Sequence, residues 1–305
     1  MKAMNVKEIV RAVDGDLLCG DENTLVTSVT TDNRDLVPGA LFVPIIGERV
    51  DAHRFIPSAF EAGAAAVFTQ EHDFMQSPKA CIRVADTQQA LQKLAAFYRS
   101  RFPIPVIGIT GSVGKTSTKE MVASVLSVGK NVLKTAGNFN SQIGLPLTMF
   151  RIGPEHEAAV IEMGMSNFGE MARLSAIARP QRAIVTNIGI SHMEHLHTQE
   201  NIRTEKLHIA DYFDENGVLY LNGDDPLLWE LKGKTGCREV FFGLGDGCDC
   251  RACDVQSDGE RTWFHLNSTQ GELLEIPVIG NHNVANALAA IAVATDLGYG
   301  MEQIR

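Results

Sequence analysis

The residues from Val106 to Glu120, VIGITGSVGKTSTKE, pass from an apolar run through a glycine-bearing turn to Lys115, Thr116 and Ser117 and on into a helix-compatible stretch. Small residues let backbone N–H groups turn inward onto phosphate oxygens, and the following helix start adds a positive dipole. Lys115 would supply a mobile cation and Thr116 a hydroxyl for Mg2+. The segment therefore reads as a nucleotide phosphate cradle formed by Gly111, Ser112, Val113, Gly114, Lys115, Thr116 and Ser117. It is a variant of G-x-x-x-x-G-K-[ST], because Ile109 stands where the strict pattern has its first glycine.

Other residues of chemical interest follow later apolar runs. AAVI delivers Glu162 and then MGMSNFGEM, and AIVTNIG delivers Thr186 and Asn187 and then SHMEH with His192. In open parallel sheets ligands bind beyond the carboxyl ends of the strands, so such residues pool into one site although distant in sequence. A carboxylate, an imidazole and a threonine hydroxyl beside a γ-phosphate can ligate Mg2+, with His192 the odd member because Mg2+ prefers oxygen. On its own, His192 also reads as a polar loop histidine. Lys206, in RTEKLHIADYF, reads by pattern as a solvated surface lysine on a helix. The asparagine-bearing turns GNFNSQIGLPL and GNHNVANALAA read as helix caps or tight turns.

The elements that must hold these residues fall into two parts. Residues 1–100 read as a small mixed α/β domain, with a helix at Val6 to Val13, β-rich segments at Leu25 to Thr31 and Ala40 to Ile45, and helices at Ile56 to Ala62 and Gln88 to Ser100. Pro103 and Pro105 suit a linker into the phosphate-loop strand. From there, residues 101–305 alternate strands (Val106 to Ile109, Ala158 to Ile161, Ala183 to Thr186, Gly217 to Leu221) with helices. That pattern predicts a P-loop domain with a mainly parallel, doubly wound sheet. Short β-like pieces are expected over Val240 to Ile279 and an apolar helix over Asn283 to Leu297.

Composition narrows the function classes. A net charge of −10 with no basic run excludes an electrostatic nucleic-acid binder. No apolar stretch approaches membrane-spanning length and the N-terminus lacks a signal-peptide core, so a cytoplasmic protein is expected. Cys237, Cys248, Cys250 and Cys253 cluster, yet without paired C-x-x-C spacing, and they read as reduced thiols in a surface loop rather than as a zinc site. A kinase or GTPase is a rival reading, but no N-K-x-D guanine motif is present.

GITGSVGKTSTKE, GNFNSQIGLPLT, EMGMSNFGEM, TNIGISHMEHL, the Lys206 segment, LNGDD and GNHNVANALAA together resemble, in order and spacing, the Mur ligases, ATP-dependent amide-forming enzymes of peptidoglycan synthesis. The branch that adds D-alanyl-D-alanine to UDP-MurNAc-tripeptide is the most similar. The resemblance implies an ATP-dependent ligase working through an acyl phosphate, with ADP and phosphate as products. It implies ATP and two Mg2+ ions as cofactors, UDP-MurNAc-tripeptide and D-alanyl-D-alanine as partners, and a monomer.

Carried over residue by residue, Lys115 and the loop from Gly111 hold ATP phosphates, and Thr116 and Glu162 hold one Mg2+. His192 and a CO2-carboxylated Lys206 serve a second metal. Asn283 and Asn286 read adenine, and Asn138 and Asn140 lie near the reacting carboxylate. The stretch TTDNRDLVPGALFVPIIGERVDAH resembles the family's uridine-diphosphate-holding first domain, with Thr31, Asp32, Arg34, Gly47 and His53 in register. Asn33, Ala52, Ser141, Thr204 and His208 depart from the family pattern. The family's third, C-terminal domain is expected to be missing, which leaves two alternatives: a non-catalytic module that binds nucleotide and UDP-MurNAc-peptide, or another Mur branch adding a single amino acid.

Overall fold

The computed structural model describes residues 1–70, 78–268 and 270–305, which group into two compact units. The first comprises Met1–Pro103 with Gln142–Pro154, and the second Ile104–Ser141 with Glu155–Arg305.

In the first unit, β1 (Met4–Asn5) leads into α1 (Val6–Val13), followed by β2 (Asp16–Cys19), β3 (Leu25–Val26), β4 (Ser28–Thr30) and β5 (Ala40–Phe42). Then come α2 (Ile56–Glu61), β6 (Ala66–Thr69), β7 (Ala80–Arg83) and α3 (Thr87–Ser100), with the later α5 (Gly144–Met149) belonging here too. The sheet order is β2-β7-β6-β5-β4, parallel except at the β2 edge. Helix α1 starts where it does because Asn5 and Glu8 form a reciprocal capping box, and Asp86 caps α3 through the Gln89 amide. The buried Tyr98 hydroxyl donates to the Ile152 carbonyl at 2.7 Å, tying α3 to the returning segment within this unit.

The second unit runs β8 (Val106–Thr110), α4 (Lys115–Leu126), β9 (Val132–Lys134), β10 (Ala158–Glu162), α6 (Glu170–Ala178), β11 (Arg182–Val185), α7 (Met193–Leu196) and α8 (Gln199–Leu207). It continues through β12 (Val218–Asn222), α9 (Pro226–Trp229), β13 (Arg238–Gly243), β14 (Cys250–Ser257), β15 (Thr262–Leu266), β16 (Leu273–Ile276), α10 (Asn281–Asp296) and α11 (Met301–Ile304). The sheet order is β16-β15-β14-β13-β12-β11-β8-β10-β9. Strands β9 through β14 pair in parallel, and β14, β15 and β16 antiparallel. This is the mainly parallel, doubly wound α/β sheet expected from the alternation of apolar runs and helices. Buried runs such as Val106–Thr110 and Ala158–Glu162 are what a sheet covered on both faces requires.

Helix α10, buried from Val284 to Ala294, packs against α4 and the β12–β14 side of the core. Each fully buried residue such as Val284 or Leu288 stabilises the unit by about 1.5–3 kcal/mol. At its end, Asp296 accepts from Arg182 at 2.6 Å and from Arg238 at 2.6 Å, the first residues of β11 and β13. Burial pushes the Asp296 carboxyl up, but hydrogen bonds and charge from Arg182, with Arg238 and Tyr220 beside it, outweigh that and hold it below its usual range.

The expected cysteine loop is corrected. Cys250 opens β14 and Cys253 lies within it, and Cys250 is buried with its thiol donating to the Leu288 carbonyl. Burial pushes the Cys250 thiol up to about 12. Pairing with β13 and β15 overrides the weak strand propensity of an Asp-flanked segment. No group of three or more His, Cys, Asp or Glu able to hold a metal occurs among the described residues, nor does any helix long and apolar enough to cross a membrane.

Candidate active site

Strand β8 runs buried to Thr110 and breaks at Gly111, whose φ is +150°. A Cβ there would stand 1.9 Å from Thr186 Oγ1, so only glycine lets the loop lie against the end of β11. Gly114, at φ +82°, caps α4 without a side-chain bond. The first-turn amides of α4 therefore have neither an intrahelical nor a side-chain partner, which is the arrangement that receives an anion.

Lys115 Nζ donates to the carbonyls of Gly111 at 2.8 Å and Ser112 at 3.3 Å, folding its side chain back over the loop. Burial lowers its pKa, partly offset by the nearby Glu162 carboxylate. Thr116 and Ser117 follow on the exposed side of the first turn.

Glu162, the last residue of β10, is 3% exposed. Its Oε2 accepts from Thr116 Oγ1 at 3.0 Å and its Oε1 from Asn140 Nδ2 at 2.7 Å. Its amide donates to Thr135 Oγ1 at 3.0 Å, which holds the strand end against the segment that leads from β9 to Asn140. A carboxylate and a hydroxyl, hard oxygen donors, thus meet beside the phosphate loop and fit Mg2+, which is held by one or two carboxylates plus waters and phosphate oxygens. Asn138 takes a different place: its side chain is exposed, and its carbonyl accepts from the Asn140 amide within the turn.

His192 sits at φ +66° before α7. The residue is exposed, yet local desolvation first, then the positive charges of Lys206 and Lys115, lower its pKa, partly offset by Glu170 and Glu194, which favours the neutral imidazole. Lys206 corrects the surface-lysine expectation: it is 2% exposed in the last turn of α8. Burial first, then the charge of Lys115, brings its pKa down to about 7, opposed by Glu205. The neighbouring Glu205 is engaged elsewhere, accepting from the amides of Gly169 at 3.0 Å and Met171 at 2.9 Å at the start of α6.

The asparagines of α10 are not caps, again in contrast to the pattern reading. Asn286 is buried and its Oδ1 accepts from Thr118 Oγ1 at 2.9 Å, close behind Gly114. Asn283, half-buried, donates to the Ile279 carbonyl at 2.9 Å. Helix α10 is thereby joined to the back of the phosphate loop.

The sequence reading gave no role to Asn187. Its Oδ1 accepts from the amides of both Ser112 and Val113 at 3.0 Å. The signal available was its position, directly beyond a strand that neighbours β8.

The remaining candidates belong to the first unit. Asp32 caps a short 3-10 turn and chelates Arg34, with distances of 2.9 and 3.1 Å to Nε and 2.5 Å to Nη2. Those hydrogen bonds from Arg34 pull the Asp32 carboxyl down to about 2. His53 is buried, with Nδ1 at 2.6 Å from Asp51 Oδ1 and Nε2 accepting from the Gln70 amide at 3.3 Å. Those partners assign the proton to Nδ1. Thr31 is half-buried and Gly47 exposed in a turn closed by its amide on the Val50 carbonyl at 3.0 Å.

Comparison with known proteins agrees with this architecture. The family model for the Mur ligase middle domain matches residues 109–294, and that for the Mur ligase family catalytic domain matches residues 25–99. The chain is similar to UDP-N-acetylmuramoyl-tripeptide--D-alanyl-D-alanine ligase of Bacillus subtilis (strain 168), with 43% identity over 300 residues covering 97% of this chain and 65% of that protein. The enzyme of the same name from Escherichia coli (strain K12) is 36% identical over 308 residues, covering 100% of this chain and 67% of the relative.

Among solved structures, MurF from Acinetobacter baumannii superposes with a TM-score of 0.92 at 31% identity, covering 100% of this chain and 67% of that one. MurF from Thermotoga maritima in complex with ADP does so with a TM-score of 0.80 at 30% identity, covering 90% and 64%. The chain spans 65% of the length of the Bacillus relative and 61% of its namesake from Synechocystis sp. (strain ATCC 27184 / PCC 6803 / Kazusa).

Proposed function

The chain belongs to the Mur ligase family, and from that premise we propose that it carries the first two domains of an ATP-dependent ligase joining D-alanyl-D-alanine to UDP-MurNAc-tripeptide. The observation that carries this reading is the junction of Thr116, Glu162 and Asn140 beside Lys115. In the proposed division of labour, residues 1–100 hold the uridine-diphosphate end of the substrate, through the region of Thr31, Asp32, Arg34, Gly47 and His53. Residues 101–305 hold ATP.

The unpartnered amides at the start of α4 receive the phosphates, and Lys115 leaves the Gly111 and Ser112 carbonyls to meet a phosphoryl oxygen. Asn283 and Asn286 hold the adenine side, where Asn286 already packs against the loop. The tripeptide carboxylate attacks the γ-phosphorus, giving an acyl phosphate and ADP. The amine of D-alanyl-D-alanine then adds to the acyl carbon and phosphate leaves. Asn140, fixed on Glu162, orients the reacting carboxylate, with Asn138 in the same turn.

Thr116 and Glu162 are the residues that would hold Mg2+, and its charge would lower the repulsion between the carboxylate and the triphosphate. A second ion would fall to His192, whose neutral form its surroundings favour, and to Lys206. A lysine held near 7 has a substantial fraction of free amine, the form that adds CO2 with loss of a proton to water, and the resulting carbamate would offer oxygen donors where an ammonium offers none.

The test is phosphate release from ATP with UDP-MurNAc-tripeptide, with and without D-alanyl-D-alanine, for this chain and for a longer chain reaching the length of its relatives. Release coupled to formation of the dipeptide adduct in the longer chain is expected. Hydrolysis indifferent to both substrates would overturn the reading.

A further inference from the structure

The rim of the phosphate loop has no free main-chain polar atom at Ser112 or Val113. The Ser112 amide donates to both the Asn187 carbonyl at 3.1 Å and Asn187 Oδ1 at 3.0 Å, and the Val113 amide to the same Oδ1 at 3.0 Å. The Val113 carbonyl accepts from Thr186 Oγ1 at 2.6 Å and from Asn187 Nδ2 at 3.3 Å, while Lys115 reaches the Ser112 carbonyl at 3.3 Å. Asn187 alone supplies an acceptor and a donor to the rim through one planar amide, a combination that neither a carboxylate nor a hydroxyl can reproduce in that geometry. Its own loop is held in turn, because the Gly189 amide donates to Ser112 Oγ at 2.8 Å and the Ile188 amide to Asp225 Oδ2 at 2.7 Å.

We infer that Asn187 is a positioning residue for phosphate binding: it locks the Ser112–Val113 rim to the end of β11, so that the amides from Gly114 onward converge on one point before any nucleotide arrives. A loop ordered in advance spares the ligand the entropy of ordering it, and that saving appears as affinity for the phosphates. The inference rests on the nucleotide reading proposed above. It also predicts that the Val113 amide stays on Asn187 rather than turning to a phosphate.

The experiment titrates the full chain with ADP and with adenosine, read by saturation-transfer NMR so that weak binding remains measurable, for wild type, Asn187→Ala and Asn187→Asp. Losing the shared acceptor should weaken ADP by about tenfold, the effect of one to two net hydrogen bonds, while adenosine, which has no phosphate to place, keeps its affinity. Asn187→Asp keeps an acceptor for both amides, and so serves where the alanine variant does not fold. It replaces the Nδ2 donor with an anionic oxygen facing the Val113 carbonyl, and should likewise weaken ADP and spare adenosine. ADP affinity unchanged or improved in the folded variants, or adenosine falling in parallel with ADP, would overturn the inference. A wild-type chain that binds adenosine no worse than ADP would instead remove the nucleotide-phosphate reading on which it stands.

Discussion

The Thr116 hydroxyl donates to Glu162 Oε2 at 3.0 Å, joining the first turn of α4 to the tip of β10. Two residues far apart in sequence are brought together because β8 and β10 are neighbours in parallel register, with Glu162 opposite Ile109. The same register sets Lys115 close enough to Glu162 for their charges to interact. The proposed chemistry concentrates at that junction.

Glu162→Gln keeps the size of the side chain and removes its charge. ADP binding measured with Mg2+ and again in excess chelator should show the metal-dependent gain in affinity cut by about tenfold or more, with metal-free affinity nearly unchanged. An undiminished Mg2+ effect would remove Glu162 from the metal site.

Lys115→Ala should lower substrate-dependent phosphate release by about 100-fold or more, the scale set by losing a preorganised charge at a transferring group. The variant should fold, since Lys115 bonds only to loop carbonyls within its own turn. Turnover close to wild type would end its assignment.

Gly111→Ala should destabilise the second unit by about 2–4 kcal/mol in chemical denaturation, because the new Cβ falls 1.9 Å from Thr186 Oγ1 at a φ unfavourable to L side chains. Thr186→Ala removes the obstructing atom and should recover part of that loss, so the double mutant lies above the sum of the singles. Strict additivity would show that the contact is not what requires glycine.

Lys206 gives a pH signature. Its folded pKa of about 7 lies below the 10.5 usual for a lysine, so between those values the unfolded chain binds a proton that the folded chain does not. The contribution of Lys206 to stability should therefore rise with pH across that window, by about 1.4 kcal/mol per unit, and below about pH 7 the cost of burying the charge is present in full. Lys206→Met should flatten the rise in urea titrations run in CO2-free buffer. A difference between wild type and Lys206→Met that stays constant over the window would contradict the burial of a cationic lysine.

The parts of this architecture that local sequence encodes were readable in advance. The glycines, Lys115 and Thr116 lie within one short segment, and Glu162 ends an apolar run, so the sheet rule places both at the same edge. Lys206 was not readable, because its burial depends on α8 packing against α6 while its neighbours Thr204 and Glu205 look like those of any solvated helix. Cys250 and Cys253 were hidden for a related reason: their strand is stabilised by partners on both sides rather than by its own composition. Asn187 could be placed beyond a strand end but given no task, and its importance emerges only once Ser112 and Val113 are seen facing it.

Asp296 fastens Arg182 and Arg238, and those arginines begin β11 and β13 at the margin of the sheet away from the nucleotide loops. The molecule's rivets and its working edge thus occupy opposite tips of the same strands. A lesion at Asp296 would therefore slacken the frame from the far end and leave every reactive group chemically intact.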